Sequence, residues 1–395
     1  MSRKVNLING NFITLDDKCH NAEMISVENG KIAGINAIDH NCENIDLQGS
    51  TVIPGFVDSH FHMVNLGKQT DTLKLGDCLS AVSVADKVLQ KSSKVDENEW
   101  IFGFGWDNTK WDNQNFPSSD ILNTQPVTQP VMLTRIDGHC CWVNQKALHL
   151  SGLDVSTNTL DGGVIINDCI LIDNAMNPVQ LVIPKPNEKQ IEKWIKMALN
   201  IIIPRGITNI HDAWQDPTTV KVLKQLAENN ELPIRVYGML GSSYPKLLKQ
   251  IFKEGHFISN NYSIRSVKAF IDGALGSRGA SLLEPYCDDK NNCGLVLISE
   301  DAFKSLTHKC KDAGFQICTH AIGDRGNRMV LDVYLETLKG KKNHRWRIEH
   351  AQMVCDEDIT RFAKAGIIPS MQPSHCTSDM PWLHDRLGSS RMHRI

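Results

Sequence analysis

Glu188-Lys-Gln-Ile-Glu-Lys-Trp-Ile-Lys-Met-Ala-Leu-Asn-Ile-Ile-Ile-Pro-Arg-Gly-Ile-Thr-Asn-Ile-His-Asp212 contains one complete unit of the fold. Ile191, Trp194, Ile195, Ala198, Leu199 and Ile202 recur at the helical period, and Pro204-Arg-Gly206 stops the helix predicted over Glu188 to Ile203. The apolar run Ile207 to Asp212 then reads as a strand. Toward the C-terminus the same alternation repeats. Strand-like runs occur at Ile234 to Leu240, Ile264 to Asp272, Gln316 to His320, Trp346 to His350 and Ile367 to Gln372. Between them lie helical stretches at Val220 to Glu228, Ala302 to Ala313, Asn327 to Leu338 and Asp356 to Ala365.

Upstream, the run Thr51 to His60 adds a first strand, which brings the strands to seven. Alternating β and α units imply a parallel sheet. Polar residues gathered at the strand C-terminal ends point to the α/β class and a (β/α)8 TIM-type barrel, with seven of its eight strands present. An open doubly wound sheet is the alternative, and no glycine-rich dinucleotide fingerprint follows the first strand to support it.

Two further segments frame the barrel, which is expected over residues 51–395. Residues 1–50 read as short β elements at Val5 to Leu7, Phe12 to Leu15, Met24 to Val27 and Lys31 to Ile35, part of a small N-terminal β-sandwich. These strands are too few to close a core of their own, so the unit is expected to pack on later residues. Residues at about 68–187 break the rhythm and read as a long insertion over the strand C-terminal ends. They hold the segment Trp100 to Asp107, a strand at Pro130 to Ile136 and a helix signal at Trp142 to Leu150.

In 395 residues the net charge is -3 and 41% are hydrophobic, which gives no electrostatic reason to bind nucleic acid or an anionic membrane. No N-terminal apolar segment is present, and no run reaches the roughly eighteen apolar residues of a membrane span. The twelve cysteines form no Cys-x-x-Cys pair and read as reduced thiols of a cytoplasmic protein. The expected partner is a small-molecule substrate, with a homo-oligomer left open.

Residues able to bind a cation sit on several of these strands. His60 and His62 stand at i and i+2, so strand alternation turns them to one side. His320 and His350 close the fifth and sixth strands, and Lys268 lies on the fourth. Each alone has a bland reading, as a hydrogen-bonded histidine or a solvent-seeking lysine. Their recurrence at equivalent positions of one barrel points instead to a metal centre at its mouth, with open coordination for water.

The chain resembles the amidohydrolase superfamily and, within it, the metal-dependent hydrolases of amidohydrolase family 3. The resemblance is carried by Val52-Ile-Pro-Gly-Phe-Val-Asp-Ser-His-Phe-His62, Gly103-Phe-Gly-Trp-Asp107, Thr134-Arg-Ile-Asp-Gly-His139 and Val267-Lys-Ala-Phe-Ile-Asp-Gly-Ala-Leu-Gly-Ser-Arg278. Further on it is carried by His320-Ala-Ile-Gly-Asp324, Arg347-Ile-Glu-His-Ala-Gln352 and Met371-Gln-Pro-Ser-His-Cys-Thr-Ser-Asp-Met380. It implies that His60, His62, Lys268, His320 and His350 hold one or two divalent metal ions, zinc being the expected one. Lys268 would be an N6-carboxylysine bridging two ions, and Lys268 and His350 the catalytic groups. The implied reaction is hydrolysis of a non-peptide C–N bond, in an amide, imide or formamide-type small molecule, by metal-activated water.

The resemblance also implies an aspartate at the end of an eighth strand to move the proton. None follows Asp385-Arg-Leu-Gly-Ser-Ser-Arg-Met-His-Arg-Ile395, so a C-terminally incomplete chain is expected. The alternative function is a catalytically silent or partial chain that keeps the metal-binding barrel without that aspartate. Asp272, Asp324 and Asp379 are the nearby carboxylates, with a simpler reading as cap or turn residues. His139, Trp106, Asp107 and Arg278 are the substrate-binding candidates. His211 and His375 read as supporting residues, and Asp58, two residues before His60, as a group that orients the ligands.

Overall fold

The computed structural model describes residues 4–37, 42–123, 126–153, 159–160 and 162–395. Seven parallel strands form a curved, nearly closed barrel sheet: β1 (Phe56–Phe61), β2 (Ile207–Gln215), β3 (Arg235–Gly241), β4 (Tyr262–Phe270), β5 (Gln316–Ala321), β6 (Arg347–His350) and β7 (Ile368–Ser370). They pair in sequence order from β1 to β7. The edge strands β1 and β7 are not paired with each other among the described residues, and a cleft lined by Val57, Asp58, His60, Met371 and Gln372 lies between them.

The helices around the barrel sheet are α1 (Met63–Asp71), α2 (Glu188–Ile202), α3 (Pro217–Glu228), α4 (Pro245–Glu254), α5 (Glu300–Asp312), α6 (Asp324–Leu338), α7 (Asp356–Ala365) and α8 (Ser374–Leu387). Their starts are written in the sequence. Asn187 and Gln190 form a reciprocal capping box before α2, and Asp216 and Ser299 accept from backbone N–H groups at the starts of α3 and α5. The apolar stripe of α2 packs with Ile210, Val236, Leu240, Ile264, Val267, Ile317 and Ile348 into one large core. Gly67 lets α1 lie against α2, because a Cβ there would come within 1.9 Å of the Trp194 carbonyl oxygen.

The first strand is shorter than expected. Pro54-Gly55 divides the run, leaving Thr51–Val52 to pair with Asn11–Asp16 and Phe56–Phe61 to begin the barrel. The N-terminal strands form a four-stranded and a three-stranded sheet. Phe12, Ala22 and Ile25 are buried there against Leu7, Val27, Leu47 and Val52, the last from the Thr51–Val52 strand that lies beyond residue 50. Leu15 and Ile32 remain exposed.

Between α1 and α2 the chain builds a second, mixed sheet of seven strands, running from Leu73–Lys74 to Ile170–Asp173. Trp142 lies in its strand Cys140–Val143, and the helix begins only at Gln145, capped by Asn144. The helical reading from Trp142 is corrected accordingly. No helix among the described residues is long and apolar enough to cross a membrane.

Candidate metal centre

The parallel register stacks the inward-facing residues in levels. Lys268, Cys318 and Arg347 are in register across β4, β5 and β6, and Phe270, His320 and Glu349 form the next level toward the C-terminal ends. His60 at the end of β1 faces this level from across the barrel, its Nδ1 2.5 Å from Oε2 of Glu349. His62 follows the strand immediately before α1, whose first N–H, on Met63, donates to the buried Asp212 carboxylate at 2.9 Å.

His350 departs from strand alternation. Its φ of 70° and that of Ala351 at 42° lie in the left-handed region, so the backbone turns at the strand end. Glu349 and His350 thereby both reach the mouth, although they are neighbours in a strand. Such conformations are costly for residues other than glycine and collect at functional sites.

The four imidazoles form a chain of neighbours, with His60 and His320 against His350 and His62 against His60. Ring centroids are 4.5 Å apart for His60 and His350, 4.6 Å for His320 and His350, and 5.3 Å for His60 and His62. His375 lies 5.6 Å from His350, nearly parallel to it. As they stand the rings are gathered without converging on one point: among the described residues no three His, Cys, Asp or Glu side chains are grouped so that they could hold a metal ion.

Lys268 is fully buried beneath them, and its Nζ has no hydrogen-bond partner, lying 5.1 Å from the centroid of the Phe270 ring. A buried ammonium without a partner is expensive. Burial lowers the Lys268 pKa to about 8, with Glu349 and Cys318 opposing. Burial likewise lowers His62 to about 4 and His350 to about 2, the charge of Lys268 adding to both, and lowers His60 against the opposing pull of Glu349. Burial works to raise Glu349, but His60, Arg347 and Lys268 outweigh it and hold the carboxyl at about 2. The mouth thus offers neutral imidazoles beside one fixed carboxylate.

Three partners were not assigned from the sequence. Glu349 bonds His60, Arg347 bonds Glu349 through Nε at 2.7 Å, and Gln372 places Oε1 2.5 Å from Nδ1 of His350. Their signal was Arg347 and Glu349 at i and i+2 in an apolar strand, since two inward-facing charges must find partners. Asp58 does not take the orienting role expected of it. Its carboxylate accepts the His60 backbone N–H at 3.1 Å and leaves the ring to Glu349.

Asp272 accepts N–H groups from Ser281, Ile322 and Gly323, tying together the loops after β4 and β5. Asp324 accepts from Leu283 N–H, and Asp379 from Gln352. His211 lies lower in the barrel with its Nδ1 2.9 Å from the Arg347 guanidinium. Trp106 is fully buried in the second sheet and donates to the Leu133 carbonyl, so it has no face to offer a substrate and that expectation is corrected. Asp107 holds Thr109 and Arg135, exposed His139 pairs with Asp173, and Arg278 forks onto Asp288. Among the described residues none of these three hydrogen-bonds to the four imidazoles or Lys268.

Residues 43–395 match the family model described as "Amidohydrolase family". The chain belongs to the amidohydrolase family. Among similar proteins, YtcJ of Bacillus subtilis is 29% identical over 404 residues, covering 97% of this chain and 75% of its own. The N-substituted formamide deformylase of Arthrobacter pascens is 22% identical over 397 residues, covering 92% of this chain and 72% of its own. The crystal structure of an uncharacterized metal-dependent hydrolase from Pyrococcus furiosus has a TM-score of 0.86 and 26% identity, covering 99% of this chain and 81% of the other. This amidohydrolase therefore has the fold of a metal-dependent hydrolase, and a divalent metal goes with it. The residues present fit such an ion, because imidazoles held neutral and an orphaned buried amine are a donor set in want of an electrophile.

Proposed function

We propose that this amidohydrolase cleaves C–N bonds other than peptide bonds in a small amide, imide or formamide-type substrate. The observation that carries the reading is the buried Nζ of Lys268, without a partner, beside four gathered imidazoles. The likeness to an N-substituted formamide deformylase supports the bond class. His60, His62, His320 and His350 would hold one or two zinc ions, together with Lys268 as a carboxylated lysine. A small-molecule partner and a cytoplasmic location complete the reading, with the net charge of -3 arguing against nucleic acid.

When bound, the cation supplies an activated water at neutral pH and polarises the scissile carbonyl. The protein's share is preparation. Burial keeps the His62 and His350 lone pairs free of protons. Glu349 accepts Nδ1–H of His60 and Gln372 accepts Nδ1–H of His350, which leaves each Nε2 as the donor. Lys268, with its pKa brought to about 8, keeps part of its amine neutral near pH 7, the form that adds to carbon dioxide to give a carbamate and release a proton.

A second reading is a chain that binds the cation without turnover. It is favoured by the carboxylates near the mouth, since Asp58, Asp272, Asp324 and Asp379 all hold other groups. Both readings are tested by elemental analysis, carbon-13 NMR in labelled bicarbonate, and a panel of N-formyl amines, cyclic imides and simple amides. The expected result is bound zinc, a carbamate signal abolished by Lys268→Met, and release of amine from one class. Zinc without turnover selects the second reading, and a folded protein that takes up no metal rejects both.

A further inference from the structure

The opposite, N-terminal end of the barrel holds a concavity of about 800 Å³ that plays no part in the reaction above. Its wall is made by the first residues of β3 to β7 and the turns leading into them. Arg265, Lys311, Lys341, Arg345 and Arg347 line it, His211 joins them, and no Asp or Glu does. For a chain with 42 Lys and Arg against 45 Asp and Glu, this is a strong local excess of positive charge.

Most of that charge is uncompensated. Arg347 is paired with Glu349. Lys311 donates to the Thr337 carbonyl at 2.8 Å, a neutral acceptor. Among the described residues Arg265, Lys311, Lys341 and Arg345 have no carboxylate partner, although ion pairs are common elsewhere on the surface. Like charges around one hollow repel, and a concave low-dielectric wall focuses their field into it. His211 adds a directed donor: its Nδ1 meets the Arg347 guanidinium and so accepts, which leaves the proton on Nε2.

We infer that this hollow is a binding site for a small polyanion bearing two or more phosphate or carboxylate groups. The forked guanidinium groups of Arg265 and Arg345 suit the paired oxygens of such groups, and Lys311 and Lys341 add point charges on flexible stems. The volume is that of a small-molecule site, and the lack of any carboxylate excludes a cation. The residues assigned to the anion, Arg265, Lys311, Lys341 and Arg345, lie at the other end of the strands from the histidine cluster, and only Arg347 links the two.

The test is calorimetric titration of the metal-loaded protein with inorganic phosphate, fructose 1,6-bisphosphate and tricarballylate. Saturable binding is expected, at least about tenfold tighter for a multivalent probe than for phosphate and weakened by added salt. The two multivalent probes tell phosphate from carboxylate recognition. Arg265→Glu and Arg345→Glu are each expected to weaken binding about tenfold or more. Should a charge reversal impair folding, Arg265→Gln and Lys341→Gln, with melting temperatures recorded, give a smaller loss in the same direction. Absence of saturable binding overturns the inference. So does binding that none of these variants alters, which would place the anion at the histidine end.

Discussion

The two ends of this barrel treat positive charge in opposite ways. At the C-terminal end four imidazoles and an amine crowd together, and burial pushes His60, His62, His350 and Lys268 toward neutrality, with His350 lowered to about 2 and Lys268 to about 8. At the N-terminal end Arg265, Lys341 and Arg345 stand exposed to water around a hollow. Basic residues become electron-pair donors when water is removed and anion receptors when it is kept. Arg347 belongs to both ends. It lines the hollow, and through Glu349 it reaches His60.

The comparison breaks most visibly if the C-terminal end holds no cation. His60→Ala and His320→Ala are each expected to abolish stoichiometric metal binding and to lower kcat/KM at least about a thousandfold, equivalent to about 4 kcal/mol. Elemental analysis and steady-state kinetics on a cleaved substrate check this. Metal retained at full stoichiometry in both variants would leave the imidazoles as packing residues.

Next in size is the residue shared by the two ends. Arg347→Met leaves Glu349 buried with His60 as its one remaining hydrogen-bond partner and only the Lys268 charge nearby, and breaking a buried pair from one side costs about 3–5 kcal/mol. Urea unfolding of the metal-free protein should show that loss. Arg345→Met, two residues earlier and exposed, should leave the unfolding midpoint where it is. Equal midpoints for the two variants would mean that depth in the barrel does not set the role of an arginine here.

The barrel was legible because its signals are local and repeated. The helical period in α2, the Pro204-Arg-Gly206 stop and the short apolar runs each declare themselves within about ten residues. The gathering of His60, His62, His320 and His350 was legible for a related reason, since strand ends in a parallel barrel meet at one face. What stayed hidden depends on contacts between distant residues. Glu349 is 289 positions from His60, and no spacing rule links them. Trp106 sits in a motif that invites a ligand, and only the second sheet closing over it shows a core residue. His350 reads as an ordinary strand end, while its left-handed backbone is a consequence of tertiary context.

Glu349→Gln sharpens the account of the C-terminal end. The amide keeps the shape and can still accept the His60 Nδ1–H, but it no longer carries the charge that makes the imidazole a stronger donor. Metal affinity is expected to fall about 10–100-fold, the usual scale for such an orienting partner. Competition against a fluorescent chelator measures it. Gln372→Ala removes a neutral partner from His350 and should fall at or below the lower end of that range. A larger loss for Gln372→Ala than for Glu349→Gln would show that orientation outweighs charge.

The smallest effect expected is that of mild acid on metal content. An exposed imidazole takes up its proton near pH 6.5 and then cannot bind a cation. Burial holds His62 at about 4 and His350 at about 2, so their neutral, ligating forms persist as the pH falls. Metal content after desalting should therefore be the same at pH 7.5 and pH 5, with loss setting in only near pH 4. Folding stability should respond earlier. Between pH 6.5 and 4 the unfolded chain binds protons at these histidines that the folded chain refuses, so the stability of the metal-free protein is full above 6.5 and declines as the pH drops through that window. A metal-loss midpoint near 6.5, together with a flat stability profile, would mean that the C-terminal imidazoles are as open to water as the cations at the other end.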